Sequence, residues 1–226
     1  MQRPEVPAWS LRVDVSELLH VALYVRDVAA IELPPWRATP PPLMDRLPTH
    51  SLILPPASRR STGLEWLRWW DSIVTSEIDA YSRLTSAGSG RGGRQETETA
   101  SQEEQHKYAA AESPQFSDPV VRRTVHELVQ EGHRWWNENH RTRAQWGMDR
   151  ELLDRVVKEA SSRLGGCEVR LRSMVEVVLV EGEWWHRPAE QALLCSVSLT
   201  NNFDGFGSLL RKFLSSARSD MASQVV

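Results

Sequence analysis

The sequence predicts an α+β fold: helices packed on one face of a small antiparallel sheet of two or three strands, with a disordered internal linker. Three observations predict it. Helical apolar spacing recurs on both sides of a long polar gap. The period then changes to two after Gly165-Gly166. The gap itself, "SAGSGRGGRQETETASQEEQHKYAAAESPQ" (86–115), has almost no large apolar residue. A run of helices followed by a run of strands belongs to α+β rather than to a wound α/β sheet.

In "DVSELLHVALYVRDVAAIEL", Val15, Leu18, Leu19, Ala22, Val25 and Ala29 follow helical spacing, with Asp14 as the cap. The prolines of 34–62 favour extended backbone, pinned across the fold by Trp36, Leu43, Leu52 and Leu54. A second helix carries Leu67, Trp70, Val74, Ile78 and Tyr81 on one stripe, with Trp66 and Trp69 beside it. The polar gap buries too little surface to offset its ordering entropy, so 86–117 reads as a disordered linker. It separates a helical part with a proline-rich segment (1–85) from a helix-helix-strands-helix part (118–220), the two forming one composite domain.

Beyond the linker, Asp118-Pro119 is a cap and first-turn pair. Val121, Val125, Leu128, Val129 and Trp136 give the apolar side of the helix that follows. Leu152, Leu153, Val156, Val157, Ala160 and Leu164 share one face of the next, which stops at Gly165-Gly166. Then "CEVRLRSMVEVVLVEG" alternates, Cys167, Val169, Leu171, Val175, Val177 and Leu179 against Glu168, Arg170, Arg172 and Glu176. "ALLCSVSL" (192–199) alternates too and reads as a further strand. Phe206, Leu209, Leu210, Phe213 and Leu214 mark the inward side of a closing helix.

Bulk composition narrows the function classes. The chain has 226 residues, 40% hydrophobic and 25% charged, as in ordinary globular proteins. A net charge of −3 argues against a dedicated nucleic-acid binder, which carries a basic footprint. Of the 27 basic residues, only Lys107, Lys158 and Lys212 are lysines, a preference that points to a GC-rich bacterial genome. Arg12, Asp14 and Glu17 interrupt any apolar signal segment, and no run approaches a membrane span, so a cytoplasmic protein is expected. Cys167 and Cys195, 28 residues apart, match no disulfide framework, metal motif or redox motif.

No catalytic constellation is complete. His126, His133 and His140 recur by sevens on one helix, each pair about 10 Å apart along its axis. They cannot share an ion held at about 2.0–2.1 Å without ligands from elsewhere. "HELVQ" (126–130) resembles the HExxH motif of zinc hydrolases, but Gln130 replaces the second histidine. A metal-assisted hydrolase around His126, Glu127 and His133 is therefore the rival reading. A third is nucleic-acid binding through Arg122, Arg123, Arg134, Arg141 and Arg143, interleaved with Trp135 and Trp146.

The tryptophans carry the leading reading. There are ten, six of them in pairs at 69–70, 135–136 and 184–185. Indoles offer large contact area with an N–H handle and concentrate at interaction hot spots. Each helical pair should send one ring inward and leave one on the flank, where flanking rings form a groove. A two-residue turn at Glu181-Gly182 would pair Val180 with Glu183, Leu179 with Trp184 and Val178 with Trp185. Trp184 then joins the core, and Trp185 shares a second apolar face with Val178 and Met174. The expected function is a non-enzymatic protein–protein interaction module binding an unidentified protein through Trp185, Val178, Met174, Trp135 and Trp69, without cofactor or metal.

Overall fold

The structure, a computed structural model, describes residues 9–35, 39–45, 47, 54–87, 115–139, 150–163 and 171–216. In chain order its elements are β1 (Trp9–Asp14), α1 (Glu17–Val28), α2 (Pro56–Ala87), α3 (Pro119–Asn139), α4 (Arg150–Arg163), β2 (Leu171–Val178), β3 (Trp185–Ala189), β4 (Ala192–Ser196), α5 (Val197–Asn201) and α6 (Phe203–Ser216). The protein is α+β. Of the expected linker at 86–117, Ser86 and Ala87 belong to α2 and 115–117 are described, while residues 88–114 lie outside the described residues, as do Trp36, Leu52, His140, Arg141, Arg143, Trp146 and Cys167. No helix among the described residues is long and apolar enough to cross a membrane.

The chain forms two compact units. One comprises Ser16–Ala144 and Val178–Glu181; the other comprises Met1–Val15, Gln145–Val177 and Gly182–Val226.

The first unit is built round α1. Residues Leu19 to Arg26 are buried on every side of this helix, as expected for a helix enclosed by neighbours rather than lying on a surface. Its cap is Ser16, not Asp14: the Ser16 Oγ accepts from the Leu19 N–H at 3.4 Å. Asp14 instead ends β1 and accepts from the Val15 N–H. On α3, Asp118 caps as expected, accepting from the Val120 N–H at 2.8 Å. Gly132 of α3 lets that helix close on α1, since a Cβ there would stand 3.2 Å from Val21 and Tyr24 side-chain carbons. The expected α2 stripe is buried at Trp70, Val74 and Tyr81. Trp66, Trp69, Trp70 and Ile73 are buried, while Leu67 and Ile78 are only partly covered. At Gly63 the helix comes so close to the Glu32 carbonyl oxygen that a Cβ would overlap it. The Trp66 indole donates to the Ala22 carbonyl at 2.9 Å.

The proline-rich segment crosses this unit on a charged clasp. Arg26, buried, donates to the carbonyls of Pro40 (2.6 Å) and Pro41 (2.7 Å) and to both carboxylate oxygens of Asp27. Asp27 in turn accepts from the Leu43 N–H at 2.7 Å. A guanidinium satisfied on this many sides tolerates burial that an isolated charge would not. Leu43 and Leu54 are buried, as the sequence predicts.

The second unit holds a four-stranded sheet in the order β1-β2-β4-β3. This differs from the expected antiparallel sheet of two or three strands. β1 pairs parallel with β2, from Trp9 opposite Leu171 to Asp14 opposite Glu176, whereas β3 pairs antiparallel with β4, so the sheet is mixed. The expected β2–β3 hairpin does not form, because β4 lies between those strands. The groups assigned to it have other partners. Val180 bridges to Leu43, and the Met44 N–H donates to the Leu179 carbonyl. Trp184 pairs with Ser196: the Ser196 N–H donates to its carbonyl and its own N–H donates to the Ser196 Oγ.

The expected strand 192–199 ends at Ser196. That residue is extended (φ −73°, ψ 151°), and its Oγ accepts from the Leu199 N–H to start α5. Val197 and Leu199 are buried from a helix rather than a strand, which reproduces an alternating pattern by coincidence. α6 buries Phe206, Leu210, Phe213 and Leu214 and meets α4 through Gly207 against Leu152 and Arg211 against Glu159.

Candidate interaction surface at the β3 edge

β3 is the last strand in the sheet order. It opens on the second residue of the Trp184-Trp185 pair. Successive side chains on extended backbone point to opposite sides, and the pair divides accordingly. Trp184 is buried (9% exposed) and Trp185 is 49% exposed. Gly182, at φ +70°, supplies the turn that precedes them.

Backbone groups at Trp185 also face outward. Antiparallel ladders alternate hydrogen-bonded and non-hydrogen-bonded pairs. The Ser196 N–H reaches the Trp184 carbonyl at 2.8 Å, so the next pair, Trp185 with Cys195, is of the non-bonded kind. The N–H and carbonyl of Trp185 therefore point away from β4, toward the open edge. The usable edge is short. Pro188 has no N–H to offer, and the ladder is irregular between His186 and Ala189.

Charges around this edge are unevenly engaged. Arg187 is held: it donates to the Ser216 Oγ (2.6 Å) and the Glu190 carbonyl (3.0 Å), and it lies over the Phe213 ring. Glu183 accepts from the Asn202 amide at 2.8 Å. That bond ties the start of the β3 segment to the residue before Phe203, a second large apolar side chain left 52% exposed.

The other residues assigned to a binding surface lie elsewhere. Met174 and Val178 are buried, at 3% and 0% exposure, as are Trp69 and Trp135 at 6% and 8%. The structure does not bring these four onto one surface with Trp185. Both indoles of each helical pair are covered, so the expected flanking groove is absent among the described residues. Trp69 meets Phe116 edge-on, and Trp70 stacks on Trp66. Trp135 packs on Tyr24 and Trp136 on His20.

Among the described residues the rival sites are not assembled either. His126 and Glu127 are exposed, and His133 Nδ1 lies 2.7 Å from the Glu17 carboxylate. Among the described residues no three His, Cys, Asp or Glu side chains group to hold a metal ion. Arg122 is committed to the Phe116 carbonyl, and Arg123 and Arg134 are exposed on α3 without an exposed indole of that helix beside them. Cys195 is buried, and desolvation, reinforced by Glu176, pushes its thiol up to about 12.

Glu176, expected on the polar face of β2, is buried at 3% exposure, and two polar residues of α1 that no sequence pattern marks, His20 and Arg26, are buried as well. The signal of those two was faint: single polar residues in a segment apolar on all helical sides. No known family model matches the chain, and no curated protein or solved structure matches it either.

Proposed function

We propose that the protein is a non-enzymatic interaction module that docks a protein partner on the open edge of β3, with Trp185 as its anchor. One observation carries this reading. Trp185 is the only indole of those described with side-chain burial that is left about half exposed, and its backbone N–H and carbonyl face the same open edge. An extended partner segment would gain main-chain hydrogen bonds from the edge and apolar contact from the indole. Exposed edges are ordinarily blunted, and here Pro188 blunts one end while Trp185 occupies the other.

A photo-reactive amino acid in place of Trp185, activated in the cells that make the protein, tests the reading. A discrete adduct, competed by excess unmodified protein and missing from a probe at exposed Leu64, is the expected result. No adduct, or the same adducts from both positions, overturns it. The adduct's mass separates a different protein from a second copy of this chain.

A further inference from the structure

The buried imidazole of His20 connects two segments of its unit through hydrogen bonds that fix its protonation. Nδ1 lies 2.7 Å from the Ser16 carbonyl oxygen. A carbonyl only accepts, so Nδ1 carries the proton. Nε2 receives the Leu179 N–H at 3.0 Å. A backbone N–H only donates, so Nε2 carries none. Both contacts require the neutral ring with its proton on Nδ1.

Leu179 is where the chain meets the proline-rich segment. Its carbonyl accepts from the Met44 N–H at 3.0 Å. Val180 bridges to Leu43, and the Glu181 N–H donates to the Pro42 carbonyl at 2.8 Å. One acceptor nitrogen therefore holds the end of a short ladder that joins 179–181 to 42–44.

We propose that His20 is a proton-operated latch. A proton on Nε2 converts the acceptor into a second donor facing the Leu179 N–H. That hydrogen bond is lost, and the 179–181 segment is released together with the proline-rich residues paired to it. The ring itself keeps its place. Nδ1 still donates to Ser16, and the Trp136 indole, 4.5 Å away between centroids, offers a π face to an imidazolium.

Titratable groups stand on each element packed around α1. α1 itself contributes Glu17 and Tyr24. α3 contributes His133, paired with Glu17, and Glu131. α2 contributes Glu77, which accepts from the Ser16 hydroxyl at 2.6 Å. The ladder contributes the exposed Glu181. In general a nearby carboxylate favours a proton on an imidazole, and burial opposes it. The inference does not depend on the β3 edge or on any partner.

Amide hydrogen exchange on the whole chain, followed residue by residue at about pH 7.5 and about pH 5, tests it, since a free histidine titrates near ~6.5. After correction for intrinsic rates, protection at Leu179, Met44 and Glu181 should fall together by about tenfold at the lower pH, the loss of roughly one hydrogen bond. Protection at Leu23 and Val25 of α1 should hold. In His20→Gln, whose amide oxygen accepts but takes no proton at these pH values, the difference should disappear. The proposal is overturned if the three amides keep their protection at pH 5. It is overturned also if they lose it only along with α1, or if His20→Gln responds as the wild type does. Should the variant fail to fold, the ring ¹⁵N shifts of wild-type His20 decide. Nε2 must change from unprotonated to protonated over the same interval, and a ring that stays neutral while the fold persists overturns the latch.

Discussion

The dipeptide Trp-Trp occurs in both compact units and fares differently in each. At 135–136, on a helix, both indoles are buried; at 184–185, on extended backbone, one is buried and one stands in solvent. Neighbours on a helix diverge by about 100°, so one broad interface can cover both. Trp135 and Trp136 do so against two residues of the same α1, Tyr24 and His20. Neighbours on a strand diverge by about 180°, and covering both needs a layer on each side. The lesson is that a paired aromatic says little about a binding surface until the backbone under it is known.

Substitutions break or sharpen this comparison. The largest effect should come from Trp136→Ala and Trp135→Ala, each destabilising by about 3–5 kcal/mol in urea denaturation, the range for a truncated core indole. A helical pair in which only one truncation is costly would return the flanking-ring picture. Next comes Gly63→Ala, which tests the close approach that seats the other helical pair, Trp69-Trp70. Helix propensity alone favours alanine by about 1 kcal/mol. Overlap with the Glu32 carbonyl should reverse the sign to a loss of about 1–3 kcal/mol.

On the strand side, Cys195 lies directly opposite Trp185, on the same face of the sheet, and is buried where the indole is not. Burial pushes its thiol from an ordinary value of 9.0 up to about 12 in the folded chain. An unfolded chain thus releases this proton first, and stability present below about pH 9 should be lost as pH rises toward 12, at up to about 1.4 kcal/mol per pH unit. In a Cys167→Ser background, urea midpoints from pH 8 to 11 should fall more steeply than in the same protein carrying Cys195→Ala. Native protein at pH 8 should resist thiol reagents until it unfolds. The smallest effect belongs to Trp185→Ala, within about 0.5 kcal/mol of wild type. Acrylamide should lose the quenching that this indole contributes, seen as a smaller accessible fraction in that variant. A large destabilisation there would mean that the indole serves the fold and not an exposed edge.

Much of this was legible in the sequence, and the gaps have physical causes. The helices α3, α4 and α6 show in their apolar stripes because each follows a single period. β2 shows in its alternation. β1, "WSLRVD", was missed because its pairing comes from Leu171–Glu176, far along the chain, and its own polar residues blur the pattern. For the same reason the order of strands was not readable: alternation tells which side a residue faces but not which strand lies beside it. Trp185 could be named as one half of a divided pair. That Met174 and Val178 are covered depends on packing which no local pattern records.

Ser196 has a consequence for how the second unit tolerates change in length. One hydroxyl oxygen accepts from Trp184 at the end of the ladder and from Leu199 at the start of α5. Strand and helix thereby share a single counting frame. A residue inserted in the Glu190-Gln191 turn leaves that frame untouched. One inserted between Ala192 and Cys195 moves the hydroxyl off the ladder or off the helix, and both elements lose their common origin. Insertions and deletions in this region should accordingly collect in the turn and be purged from the five residues that follow it.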